Sequence, residues 1–185
     1  MENHEFFKKS HKYDDTNLYL IPNRISEFNN DEFRIEKLNQ NINKDHQNLF
    51  KILRVLRIST YYEASLMQLI NLVIELNSEK TRCILIIIGT NDDQQIVDNI
   101  ISMNLDFIYI FNNDYFTINA KEIIDYSDAV LGTGRSFMEA ASKSKILFSP
   151  VLASKYPMLV TQKNFDKAFA YNFSERILIE SYNEK

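Results

Sequence analysis

The chain has 185 residues, 45% hydrophobic and 25% charged, with a formal net charge of -4 and a single cysteine. That length allows one domain with a real core and is short for two, and the ordinary balance of apolar and charged residues excludes a disordered chain and a disulfide scaffold. Lys+Arg 21 against Asp+Glu 25, with no dense basic run, leaves no electrostatic footprint for a nucleic-acid partner.

The N-terminal MENHEFFKKSHKYDD is polar and lacks the apolar centre of a secretory signal. Residues 1–50 read as a polar extension: YLIPNRIS (Tyr19 to Ser26) is strand-like and runs into a Pro-Asn turn, and the Asn-rich stretch after it is only weakly periodic. From residue 51 to 185 short β-branched runs alternate with amphipathic stretches. The runs are KILRVLRIS (Lys51 to Ser59), RCILIIIG (Arg82 to Gly89), FIYIF (Phe107 to Phe111), DAVLG (Asp128 to Gly132) and KILFSP (Lys145 to Pro150). Helical patterns lie between them: Ala64 to Leu76, with Leu66, Leu69, Ile70 and Val73 on one face, then Asp92 to Met103, Ala120 to Tyr126 and Ser136 to Ser144. A weak strand at Met158 to Thr161 and a closing helix within Asn164 to Tyr182 complete the chain. This alternation predicts an α/β domain built on a Rossmann-like, doubly wound parallel sheet. Crossovers between parallel neighbours are expected to be right-handed.

The longest apolar run, Cys83 to Ile88, falls far short of the ~20 residues that cross a bilayer, so no transmembrane segment is expected. A cytoplasmic protein follows, including a peripheral place at the inner membrane face, with Cys83 as a small core residue.

Only three glycines occur, and two of them lie in GTGRSFMEAA, Gly132 to Ala141. This is a strand-to-helix junction, the place where open α/β sheets bind ligands. Two readings stand side by side. Gly132 and Gly134 can leave main-chain N–H groups free at a helix N-terminus to cradle a diphosphate, with Arg135 as an added cation. Alternatively the glycines are turn chemistry before a helix capped by Ser136 and Glu139 in a capping box. The third glycine of a dinucleotide fingerprint and the Gly-Lys-Ser/Thr ending of a Walker loop are both absent. There is no Asp-x-Asp pair, and all three histidines, His4, His11 and His46, fall in the first fifty residues. Neither a cofactor nor a metal is expected.

Taken in order, these pieces resemble the C-terminal, donor-binding lobe of GT-B-fold glycosyltransferases, the retaining, family-four-like group of bacterial polysaccharide synthesis. YLIPNRI is similar to the interlobe strand and turn, ILRVLRIS to the first strand of the lobe with a phosphate-facing arginine, Arg57, and LIIIG to the next strand ending in Gly89. YSDAVLGTGRSFMEAASKSKILFSP is similar to the family's aspartate, variable loop, Glu-Ala-x-Ala helix and following strand. The resemblance implies a single lobe that binds a UDP- or GDP-linked sugar. Gly89, Gly132, Thr133, Gly134, Ser136 and Phe137 would then face sugar and diphosphate, Glu139 would hold the ribose hydroxyls, and Arg57 and Arg135 would be catalytic. The implied reaction is hexosyl transfer to a glycan or lipid-linked acceptor. Tyr61 and Tyr62 either stack on a base or sugar or pack beneath a loop. The chain departs from the family in three ways: no lysine lies within a few residues after Arg57, the variable loop lacks an earlier carboxylate, and the length does not hold an acceptor lobe. The expected partners are accordingly an acceptor-lobe protein or a second copy. A non-catalytic α/β interaction module, or a truncated remnant of such an enzyme, is the alternative.

Overall fold

The computed structural model describes residues 25–178. Most of the expected interlobe strand and its Pro-Asn turn, and the end of the expected closing helix, lie outside them. A six-stranded sheet runs in the order β3-β2-β1-β4-β5-β6. Its strands are β1 (Phe50–Val55), β2 (Cys83–Ile88), β3 (Ile108–Phe111), β4 (Ala129–Leu131), β5 (Ile146–Ser149) and β6 (Met158–Leu159). Every pairing is parallel except that of β6, which joins β5 antiparallel at one edge.

The apolar runs form strands because both faces of the sheet are covered. All of β2 is buried, as an uninterrupted CILIII requires. On β1 the period-2 alternation sends Ile52 to a cluster on one face with Leu66, Leu69 and Val73, and Leu53 to the other with Leu38, Ile124 and Ala140. The first face is packed by α2 (Thr60–Leu76) and α3 (Gln94–Ser102). The expected stripe Leu66, Leu69, Ile70, Val73 is wholly buried. Full burial of a side chain of this size stabilises by ~1.5 to 3 kcal/mol.

The opposite face carries α1 (Glu32–Gln40), a single turn α4 (Asp114–Thr117), a 3-10 segment (Ala120–Tyr126) and α5 (Gly134–Ser142). Here the structure corrects the reading of residues 1–50 as a polar extension in its described part, residues 25–50. Leu38 and Ile42 are buried in the core, and Arg34 is 7% exposed. The Arg34 guanidinium donates to the carbonyls of Phe116 at 2.8 Å and Ile118 at 2.6 Å, and pairs with Glu122 at 3.2 Å. Only Ile35 and Leu38 of the helix, with Ile42 just beyond it, meet the core, and the polar Arg34 network holds the rest, so the apolar periodicity is weak. A third cluster, Phe137, Val151, Ala168, Phe173 and Ile177, ties α5 to α6 (Phe165–Ala170) and to the segment after it.

Candidate functional site

The chain order β1, β2, β3 steps toward one edge of the sheet and β4, β5, β6 toward the other, so β1 and β4 flank the point where the winding reverses. Ligands of doubly wound sheets bind at such a point, beyond the carboxyl ends of the strands. A cleft of about 570 Å³ opens there, lined by Arg57, Ser59, Tyr61, Tyr62, Asp92 and Thr133, with Arg54 on its inner wall.

Its two loops are laced together. The Ile58 amide donates to Thr90 O at 2.8 Å, and the amides of Asp92 and Asp93 both donate to Ile58 O, at 3.0 and 3.1 Å. This holds the β1–α2 connection, with Arg57 and Ser59, against the β2–α3 connection, with Asp92. Arg57 is exposed, and its side chain has no partner among the described residues. The 17-residue helix α2 begins beside it with Ser59 as N-cap, and the Ser59 side chain makes no capping bond. The Tyr62 amide donates to Ser59 O at 3.0 Å, and the helix start presents its earlier N–H groups and the positive end of a dipole. Together these suit an anion.

Arg54 adds a buried cation that the sequence reading passed over. It is 1% exposed, and it donates to Leu131 O at 3.0 Å and Ser65 Oγ at 3.3 Å, joining the end of β4 to α2. Its Nε and Glu175 Oε1 are buried without a hydrogen-bond partner among the described residues. Burial pulls the guanidinium down to about 10, against the opposing influence of Glu175 and Tyr62. An arginine inside the apolar run KILRVL was the available signal, because a charge in a central strand needs a reason.

Of the residues expected to be catalytic or to face sugar, diphosphate or ribose, only Arg57 and Thr133 line the cleft, together with the candidate stacking residues Tyr61 and Tyr62. Three main-chain amides of the glycine loop are engaged within the protein. The Gly132 amide donates to Phe148 O at 3.1 Å, that of Gly134 to Asn172 O at 3.1 Å, and that of Thr133 to Ser136 Oγ at 3.1 Å. The glycines answer close packing instead. A Cβ on Gly132 would lie 2.6 Å from the N and Cα of Phe137, one on Gly89 would lie 1.9 Å from Leu56 O, and Gly134 takes φ +48. The helix also starts earlier than expected, at Gly134 with Thr133 as N-cap, so Ser136 is in the first turn and Ser136 with Glu139 is not the capping box. Phe137 is 1% exposed and stacks on Phe173 with centroids 3.6 Å apart; it is a core residue. The Glu139 side chain is 11% exposed and its Oε1 accepts from Arg135 Nε at 2.9 Å, so the expected ribose reader is held by the neighbour expected to meet phosphate. Tyr61 is 77% exposed, which sets aside packing beneath a loop.

Among the described residues there is no group of three or more His, Cys, Asp and Glu side chains able to hold a metal ion, and no helix long and apolar enough to cross a membrane.

The fold and cleft define an α/β, doubly wound sheet with a cationic cleft at its switch point. No family profile and no curated protein matches the chain. Solved structures that resemble it include Anabaena HepE in complex with UDP-glucose, at 15% identity and a TM-score of 0.46 over 68% of this chain and 35% of that one. The pneumococcal O-GlcNAc transferase GtfA in complex with UDP and GlcNAc matches at 16% identity and a TM-score of 0.44, over 71% of this chain and 29% of that one. Trehalose-6-phosphate synthase OtsA matches at 15% and 0.42, over 62% and 31%. The chain spans about a third of the length of these structures. All three TM-scores lie below 0.5, a likeness from which no function is carried over.

Proposed function

We propose that this chain is the donor-binding lobe of a glycosyltransferase, binding a UDP- or GDP-linked sugar in the cleft between β1 and β4. The observation that carries the reading is the meeting, at the switch point, of Arg57, which has no partner among the described residues, with the start of α2, whose N-cap side chain makes no capping bond. In the reaction a hexosyl group leaves the nucleoside diphosphate for a glycan or lipid-linked acceptor, in the cytoplasm or at the inner membrane face. Charge grows on the departing diphosphate, and Arg57, the first-turn amides of α2 and the field of buried Arg54 stabilise it. Loss of one such donor commonly costs ~2.7 to 4 kcal/mol of barrier. Arg135 stands in the first turn of α5, where its charge is partly offset by the ion pair with Glu139, and it would serve the phosphates only on leaving that pair. The binding unit of this proposal begins at α1 rather than at residue 51. The acceptor is held by a further lobe, supplied by another protein or by a second copy.

Calorimetric titration with UDP- and GDP-sugars tests the reading. Saturable binding below millimolar concentration is expected, weakened about tenfold or more by Arg57→Ala, since hydrogen bonds to charged groups contribute ~1.5 to 3 kcal/mol. No saturable binding of any nucleotide sugar at millimolar concentration overturns it.

A further inference from the structure

Asp92 is a charge of the wrong sign for an anion site. Its backbone is fixed by the bond to Ile58 O, and its carboxylate is exposed with no partner among the described residues. It does not cap α3, because Asp93 does that by accepting from the Gln95 amide at 3.0 Å. Nor does it pair with Arg57, although both line the same cleft. A carboxylate beside a phosphate is repelled unless it meets the part of the ligand that donates hydrogen bonds. Sugar hydroxyls are such donors, and bonds of this kind to a carboxylate are roughly twice as strong as neutral ones.

A second feature stands in the same cleft. The Tyr61 ring is 77% exposed yet braced edge-on by Tyr62, with centroids 4.8 Å apart and planes at 83°. An aromatic face held in place offers apolar area with little further ordering on binding. A sugar ring has a C–H face for such a surface and a hydroxyl rim for a carboxylate.

The geometry points to Asp92 and Tyr61 as the sugar-reading pair of the cleft. A ring of the ligand lies against Tyr61 and donates hydroxyl bonds to Asp92, while its phosphate faces Arg57. This rests on the phosphate-binding reading of the cleft, and it gives the hydroxyl-reading role to Asp92 in place of the ion-paired Glu139.

The test uses UDP-glucose, UDP, glucose 1-phosphate and pyrophosphate, titrated into the wild-type chain, Asp92→Asn, Tyr61→Ala and Tyr61→Phe. Both positions are exposed, so the variants are expected to fold. Asp92→Asn should weaken the sugar-bearing ligands about tenfold, ~1.4 kcal/mol, and leave pyrophosphate binding unchanged or tighter. Tyr61→Ala should act in the same sense and Tyr61→Phe should not. A loss confined to UDP-glucose and glucose 1-phosphate assigns the hexose to the pair; a loss shared by UDP assigns the ribose. Equal losses for pyrophosphate and the sugar ligands, or no loss at all, overturn the proposal. So does an Asp92→Asn effect that appears only with Mg²⁺ and vanishes in EDTA, because the carboxylate would then serve a cation. A wild-type chain that binds glucose 1-phosphate through Asp92 but neither UDP nor UDP-glucose sinks the nucleotide-sugar reading and keeps this one. A chain that binds none of the four sinks both.

Discussion

Gly132 sits where a side chain has no room, against the backbone of Phe137 at 2.6 Å, and backbone there cannot swing aside as a flexible side-chain end can. Gly134 differs: its added Cβ would meet only the Asn172 amide group at 3.2 Å, and its constraint is φ +48. Gly132→Ala should therefore destabilise by ~1 to 3 kcal/mol or more through overpacking, and by more than Gly134→Ala, whose left-handed backbone costs ~1 to 2 kcal/mol. Urea denaturation of the two variants checks the order, and a neutral Gly132→Ala contradicts it. The sequence shows that glycines occupy this junction but not which demand put them there, since free phosphate donors and a tight strand-to-helix fit leave the same letters. Glu139 was illegible for a related reason. The spacing that places it one turn into α5 also places Arg135 four residues before it, and only coordinates show the two paired with the carboxylate turned inward.

At the scale of elements, the strands of the sheet were readable because burial on both faces demands continuous apolar runs, and each observed strand lies inside its expected run or begins one residue before it, as β1 does. The expected helix over Ala120 to Tyr126 is a 3-10 segment, entered through Asn119 at φ +53. Hydrophobic spacing over so few residues does not separate the two helical forms. Helix α1 was missed because its apolar contacts are few, Ile35 and Leu38 with Ile42 after it, and polar contacts supply the rest of its docking. Besides the Arg34 network, the Tyr126 hydroxyl donates to Asn39 Oδ1. Burial, with the nearby Tyr109, pushes the Tyr126 phenol from the ordinary 10.0 up to about 12. The folded state thus holds this proton more tightly than the unfolded chain, so the contribution is complete below about pH 10 and is lost as pH rises through about 12. Thermal melts between those limits should show a steeper fall for the wild-type chain than for Tyr126→Phe. Parallel curves contradict the burial of this phenol.

For the molecule as a whole, the α/β class was legible from alternation, whereas of the cleft only Arg57, Thr133 and the tyrosines Tyr61 and Tyr62 were. Alternation gives the order of strands along the chain but not their order across the sheet, and the cleft exists because β1, first of the described strands, lies beside β4. That neighbour relation brings Arg57 and Ser59 to Thr133 across more than seventy residues of chain, with Asp92 between them in sequence. Nothing in the local spacing of any one motif announces it. In the proposed placement the phosphates of a nucleotide would meet Arg57 and the start of α2, while Gly132 answers close packing against Phe137.

Amide chemical-shift mapping of the labelled chain during a titration with UDP tests this placement most directly. The largest shifts should fall on Arg57 to Tyr62, Asp92 and Thr133, saturating together. Largest shifts at a distant groove, such as that between Ile101 and Leu105, or no shifts at saturating UDP, would contradict it.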